Sequence, residues 1–138
     1  MYLLDTNVVS ELRRPRPHKA VLDWVATVPT DSLRLSAVTI GEIQAGIEIT
    51  RAQDAGKAAE LESWLDGVVA TYAVISMDAA IFRAWVLLKH KKPDNLLEDA
   101  MIAATATVHG LTIVTRNTRD FQTLGLTSLN PFTNRQGA

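Results

Sequence analysis

Five residues in four separate segments carry side chains that could share one piece of chemistry: Asp5, Glu42, Asp99, and Asn117 with Asp120. Clustered carboxylates are hard oxygen donors that suit Mg²⁺, with Mn²⁺ as a substitute. Packing such like charges together is costly unless a cation offsets their repulsion. A divalent ion held this way activates water and stabilises charge on a phosphoryl oxygen. Each acid also has a plainer use. Asp5 fits as the cap of a helical turn running from Asn7 to Leu12. Thr39-x-x-Glu42 and Asn95-x-x-Glu98 have capping-box spacing, which leaves Asp99 near a favourable helix dipole end. Asp120 reads equally well as a turn residue. Asp5 resists the plain reading most, because an acid that terminates a buried strand needs a partner.

These residues depend on the elements that carry them. Tyr2-Leu3-Leu4 is a short apolar run that meets polar residues at Asp5, the pattern of a buried strand feeding a turn or helix. Two prolines make Arg13-Arg14-Pro15-Arg16-Pro17 a loop. Val21, Trp24, Val25 and Val28 recur at helical spacing, and Leu33-Arg34-Leu35 forms the second expected strand. Ile40, Ile43 and Ile47 predict a helix preceded by Thr39. Leu61, Trp64, Leu65, Val68 and Val69 give the clearest amphipathic pattern. Val74-Ile75 reads as a short strand, and Ile81, Ala84, Trp85 and Leu88 as a helix ending before Pro93. Asn95 is expected to start the next helix, with Met101, Ala104, Thr105 and Val108 on one face and Gly110 as its C-cap. Thr112 to Thr115 is a β-branched strand, and Leu126 to Leu129 adds an edge strand. Strands alternating with helices predict an α/β fold with a mainly parallel sheet. In such sheets, sites form beyond the carboxyl ends of the strands, where Asp5, Asn117 and Asp120 fall.

The chain has 138 residues, a length that fits a single domain spanning 1–138. With 47% hydrophobic and 21% charged residues it is neither disordered nor fibrous. The absence of cysteine excludes a disulfide scaffold, a thiolate zinc site and a thiol nucleophile. No apolar run approaches membrane-spanning length, and the first residues lack signal-peptide character, so a soluble cytoplasmic protein is expected. Fourteen Lys and Arg against 15 Asp and Glu leave a net charge of −1 and no global basic footprint for nucleic acid. Any such contact must come from local patches or metal ions. Two patches exist: Arg13, Arg14, Arg16 and Lys19, and then Lys89, Lys91 and Lys92. They read either as solvated faces or as grips on nucleic-acid phosphates, with Arg116 a further candidate beside the fourth acidic segment. His18, His90 and His109 lie outside all four acidic segments and read as surface or helix-end residues.

Four stretches taken in order resemble the PIN-domain ribonucleases, and among them the VapC-type toxins of bacterial toxin–antitoxin pairs. They are Leu3 to Glu11 (LLDTNVVSE), Thr39 to Ile43 (TIGEI), Glu98 to Ala106 (EDAMIAATA), and Thr115-Arg116-Asn117-x-x-Asp120-Phe121. The ending Leu129-Asn130-Pro131-Phe132 also matches, so the resemblance spans Tyr2 to Phe132. It implies a PIN-like three-layer domain with a mainly parallel central sheet flanked by helices. It implies Asp5 and Asp99 as principal Mg²⁺ ligands, with Glu42 a third acid acting directly or through water. Some members carry Asp directly after Thr-Arg, where this chain has Asn117, so either Asn117 or Asp120 completes the site. Thr6, Asn7 and Thr115 would position acids or water, unless they serve only as caps. The implied activity is endoribonuclease hydrolysis leaving a 3′-hydroxyl and a 5′-phosphate. The implied partners are an RNA substrate, a cognate antitoxin and a second copy of the chain, with Trp64 and Trp85 among the apolar helical residues available for contact.

Two other functions compete. A covalent phosphatase would use Asp5 as nucleophile, but that chemistry normally takes Asp-x-Asp and position 7 is Asn. A catalytically inactive domain could serve as a binding module in a toxin–antitoxin repressor complex. The joint presence of Asp5, Glu42 and Asp99 speaks against it.

Overall fold

Leu3 and Leu4 are neighbours in sequence and both are buried, which a strand permits only when apolar layers cover both of its faces. The computed structural model, which describes residues 1–133, shows that arrangement. The elements in chain order are β1 (Tyr2–Leu4), α1 (Thr6–Leu12), α2 (Lys19–Thr27), β2 (Leu33–Ser36), α3 (Ala37–Arg51) and α4 (Ala55–Thr71). They continue with β3 (Ala73–Ile75), α5 (Ala79–Lys89), α6 (Leu97–His109), β4 (Thr112–Val114), α7 (Thr118–Thr123) and β5 (Ser128–Leu129). The five strands pair in parallel in the order β3-β2-β1-β4-β5. The expected mainly parallel sheet is thus parallel throughout.

Side-chain alternation divides the core into two layers. Leu3 and Ile113 pack with Ile102, Ala103 and Phe121 from α6 and α7. Leu4, Val114, Leu33 and Leu35 pack on the other side with Val8, Val9, Val21 and Val68 from α1, α2 and α4. Because β1 lies between β2 and β4, the chain leaves it towards one edge and later returns to its other side. That reversal opens a crevice beyond the carboxyl ends of β1 and β4.

Several helix boundaries differ from the sequence reading. α3 begins at Ala37, capped by Ser36, whose hydroxyl accepts the Val38 N–H at 3.1 Å. Thr39 is therefore inside the helix and buried, and the Thr39–Glu42 capping box does not form. After Pro93 the residues Asp94–Leu96 form a 3₁₀ turn, and α6 starts at Leu97 without a side-chain cap. The Asn95–Glu98 box is likewise absent. Gly110 ends α6 in the left-handed region at φ 65°, as its type predicts.

Val69 and Val108, placed by periodicity on apolar faces, are exposed. The buried surface of α6 is wider than one stripe, comprising Ala100, Ile102, Ala103, Ala104, Thr105 and Ala106. Four small alanines there let the helix sit close to its neighbours on more than one side. α7 was not readable from periodicity because it is only six residues long. Its Phe121 is fully buried and joins α7 to α6 and β4. Phe121→Ala should lower stability by about 3–5 kcal/mol, measured as a shift in the denaturant midpoint at unchanged slope.

Candidate metal centre

Asp5 ends β1 and caps α1, so the plain and the functional readings describe one side chain. Its Oδ1 accepts the Thr6 N–H at 2.8 Å. Its Oδ2 accepts the Thr115 hydroxyl at 2.7 Å and the Asn7 amide at 3.2 Å. The carboxylate is only 3% exposed. Burial raises its pKa, the hydrogen bonds from Thr115, Thr6 and Asn7 pull it back, and the charge of Asp120 raises it again.

The partners of Asp5 are themselves tied together. Thr115 Oγ1 also accepts the backbone N–H of Asn117 at 2.9 Å and lies 3.3 Å from the Asn7 amide nitrogen. Asn7 Oδ1 accepts the backbone N–H of Arg116 at 3.1 Å. One hydroxyl and one amide thus lock the turn after β1 to the turn after β4. Thr6, Asn7 and Thr115 are positioning groups in this network and not only caps.

Glu42 reaches the crevice from α3. Its Oε1 accepts the Thr6 hydroxyl at 2.7 Å, and the Thr39 hydroxyl lies 3.0 Å from Thr6 Oγ1. The protein around it strips away part of its water and raises its pKa. The Thr6 hydrogen bond opposes this, and the charges of Asp5 and Glu98 add to it. Asp99, in the first turn of α6, is the most perturbed acid of the group. Burial lifts it from 3.8 to about 7, reinforced by the charges of Asp5, Asp120 and Glu42 and by a hydrogen bond with Asp120.

The structure separates Asn117 from Asp120. Asp120, in the first turn of α7, acts on both Asp5 and Asp99. Asn117 is exposed at the N-cap position of α7, and its side chain makes no capping bond. Asp5, Glu42, Asp99 and Asp120 therefore share one field of negative charge, to which Asn117 adds none. Glu98 is a further neighbour that its sequence position had assigned to capping; its place beside Asp99 in one helical turn was the available signal.

The donor set fits a hard divalent cation. All donors are oxygens, and burial together with the neighbouring charges raises one acid, Asp99, to about 7. Among the described residues, no three acids or histidines close to ligating distance around one point.

The basic residues sort differently. Glu11, 6% exposed, is a buried acid the sequence reading passed over. Its carboxylate accepts the His18 N–H at 2.9 Å, and Arg14 and Arg116 approach it at 3.4 and 3.8 Å. The Arg116 guanidinium also lies 3.8 Å over the centroid of Phe132. Arg14 and Arg116 are thus anchored beside the crevice by one acid, whereas Arg13 lines a cleft that includes Glu42. Lys89 sits over the Trp85 ring at 4.7 Å. His18 caps α2 and His90 ends α5, while His109 lies in the last turn of α6; all three are exposed.

The family model described as PIN domain matches residues 2–125, and the chain belongs to that family. It is 37% identical over 139 aligned positions to the plasmid stability protein StbB of Pseudomonas syringae, covering 96% of this chain and 99% of that one. It is 34% identical to the VapC ribonuclease Y4jK of Sinorhizobium fredii, covering 96% and 98%. The crystal structure of FitAcB from Neisseria gonorrhoeae superposes with a TM-score of 0.85 at 29% identity, covering 96% of this chain and 99% of that chain. A toxin–antitoxin complex from Klebsiella pneumoniae gives 0.68 at 28% identity, covering 88% and 90%.

The raised pKa of Asp99 has a stability consequence with a definite sign. Folding favours its protonated form, so its contribution is complete below the unfolded value of 3.8 and is lost as pH rises through about 7. In metal-free buffer, Asp99→Asn should stabilise the protein more at about pH 8 than at about pH 5. The difference should be about 1–2 kcal/mol after discounting for partial exposure. Denaturant titrations at the two pH values check it, and equal shifts at both would show that Asp99 does not titrate between them.

Proposed function

We propose that the protein is a divalent-metal-dependent endoribonuclease and the toxin of a toxin–antitoxin pair. The observation that carries this reading is the convergence of four carboxylates from four segments on the crevice beyond β1 and β4. The pull of three of them on Asp99 is its electrostatic signature. Membership of the PIN family and the ribonuclease and toxin–antitoxin descriptions of its relatives support the same conclusion.

Asp5 and Asp99 would hold Mg²⁺, with Glu42 and Asp120 as the further acids. The ion, when bound, supplies Lewis-acid polarisation of a phosphoryl oxygen and lowers the pKa of a coordinated water. The chain's own contribution is orientation. Thr115 and Asn7 fix Asp5 through Oδ2, and Thr6 fixes Asp5 through Oδ1 and Glu42 through Oε1. Hydrolysis with attack in line at phosphorus would leave a 3′-hydroxyl and a 5′-phosphate. Arg116 and Asn117, both exposed in the turn after β4, would meet the phosphate chain, and Arg14 shares the Glu11 anchor with Arg116.

The antitoxin is assigned to an apolar groove of about 480 Å³ lined by Val9, Leu12, Val25, Val68 and Tyr72 of the β1-proximal helices and their flank. A groove of that size and polarity suits an apolar partner segment. Self-association is assigned to α5, where Phe82, Val86 and Leu87 are exposed, Leu87 at 79%. Trp85 does not serve this role by its ring edge alone, because its indole N–H is tied to the Leu97 carbonyl at 3.1 Å. No helix among the described residues is long and apolar enough to cross a membrane.

Purified protein should cleave RNA with Mg²⁺ or Mn²⁺ and stop on addition of EDTA. Asp5→Asn and Asp99→Asn should each lower the cleavage rate by about a hundredfold or more, a loss of roughly 3 kcal/mol of transition-state stabilisation. Gel-based cleavage assays with circular dichroism as a folding control decide the matter. Full activity in EDTA, or in both variants, removes the metal-site reading.

A further inference from the structure

Beside the acid cluster, a cleft of about 180 Å³ opens among α1, α3 and α4. Thr6 and Glu42, already joined at 2.7 Å within the acid network, form part of its wall, so the cleft adjoins the acid cluster through these two residues. Ser10 and Arg13 line it from the end of α1, and Trp64 lines it from α4. Ile47, 2% exposed, contributes apolar lining. Arg13 differs from the neighbouring arginines. Arg14 and Arg116 are both drawn to Glu11, whereas Arg13 takes part in no ion pair among the described residues.

An aromatic ring, an uncommitted guanidinium and several hydroxyls around a small cleft are the parts that recognise an unpaired nucleotide. The volume is below that of a drug-sized pocket and suits a single ring system more than a helical segment. We propose that this cleft is a nucleotide subsite of the RNA-cleaving centre. It receives one unstacked base of a single-stranded RNA next to the scissile phosphate. Trp64 supplies the stacking surface, Arg13 holds the adjoining phosphate, and the Thr6 and Ser10 hydroxyls meet the polar edge of the base. The inference rests on the nuclease reading above and adds where the strand lies: it runs from the acid crevice past Glu42 towards α4. Substrate choice would then depend partly on which base the RNA can flip out at that position.

Gly46 provides a clean test. It lines the cleft from within α3, and a Cβ built there meets no atom within 4 Å. Gly46→Leu should therefore fill the cleft without backbone strain, and its thermal midpoint verifies that the fold survives. The probe is a fluorescent single-stranded oligoribonucleotide that the wild type cuts at one place. It is compared with copies carrying a single abasic residue on either side of the cut. Binding is read by anisotropy with Ca²⁺ in place of Mg²⁺.

For the wild type, one abasic position should weaken binding about tenfold or more. In Gly46→Leu and in Trp64→Leu, intact and abasic RNA should bind alike. A wild type indifferent to both abasic positions, or a Gly46→Leu variant that keeps the full difference, overturns the subsite while leaving the nuclease reading intact. If the wild type cuts no RNA in Mg²⁺ or Mn²⁺, the same comparison is run on an oligoribonucleotide that it binds, with one abasic residue placed at each position in turn; base-dependent binding that Gly46→Leu abolishes then keeps the subsite and removes the nuclease. Loss of antitoxin capture in Gly46→Leu with unchanged RNA discrimination assigns the cleft to the protein partner and overturns the proposal.

Discussion

The hydrogen bond from Thr115 to Asp5 joins the two halves of the molecule on which the site depends. A carboxylate removed from water is expensive, and it persists only where donors replace the lost hydration. Thr115 comes from beyond β4 and Asp5 from beyond β1, strands brought side by side by the return of the chain across the sheet. Asn7 doubles the link by holding Asp5 with its amide and Arg116 with its carbonyl. Backbone bonds from Asp5 N–H to the Val114 carbonyl and from Thr115 N–H to the Leu129 carbonyl hold the turn after β4 as well, and the side-chain pairing adds the link to the Asp5 carboxylate.

Around that link the fold accumulates negative charge that it does not itself neutralise. Asp99 and Asp120 enter from helix first turns, where the dipole favours anions. Glu42 enters from the second turn of α3, steadied by a hydroxyl. The helix termini offset part of the repulsion, but burial and mutual charge still hold Asp99 far above an ordinary aspartate. The cluster is thus poised to gain from a cation, which would lower the energy of its ionised form. Arg14 and Arg116 do not fill that role, since both are drawn to Glu11.

Most elements were legible because their apolar residues recur with the period of one structure. Leu3, Leu4, Ile113 and Val114 read as strand, and Leu61, Trp64, Leu65 and Val68 read as helix, for that reason. The misreadings share a cause as well. Thr39 and Asn95 have capping-box spacing, but helix starts are set by where the preceding strand or proline turn delivers the chain, so Ser36 caps α3 and nothing caps α6. Val69 and Val108 lie at the right spacing on the wrong side of a neighbour. α7 was too short to show a period, and Glu11 entered the sequence reading only as the end of the Leu3–Glu11 stretch.

The amino-acid sequence alone determined the inventory: which acids exist, on which kind of element each sits, and that strands must alternate with helices. These follow from local physics, because periodicity and propensity act over a few residues. It could not say which of Asn117 and Asp120 stands close enough to act on Asp5 and Asp99, nor sort Arg13 from Arg14. Those choices turn on distances between groups far apart in the chain, Asp120 acting on Asp5 across the sheet and Glu11 gathering Arg116 from another turn. Only the packed tertiary structure sets those distances. It also turned a nearly neutral composition into an acidic crevice with cations held at its margin.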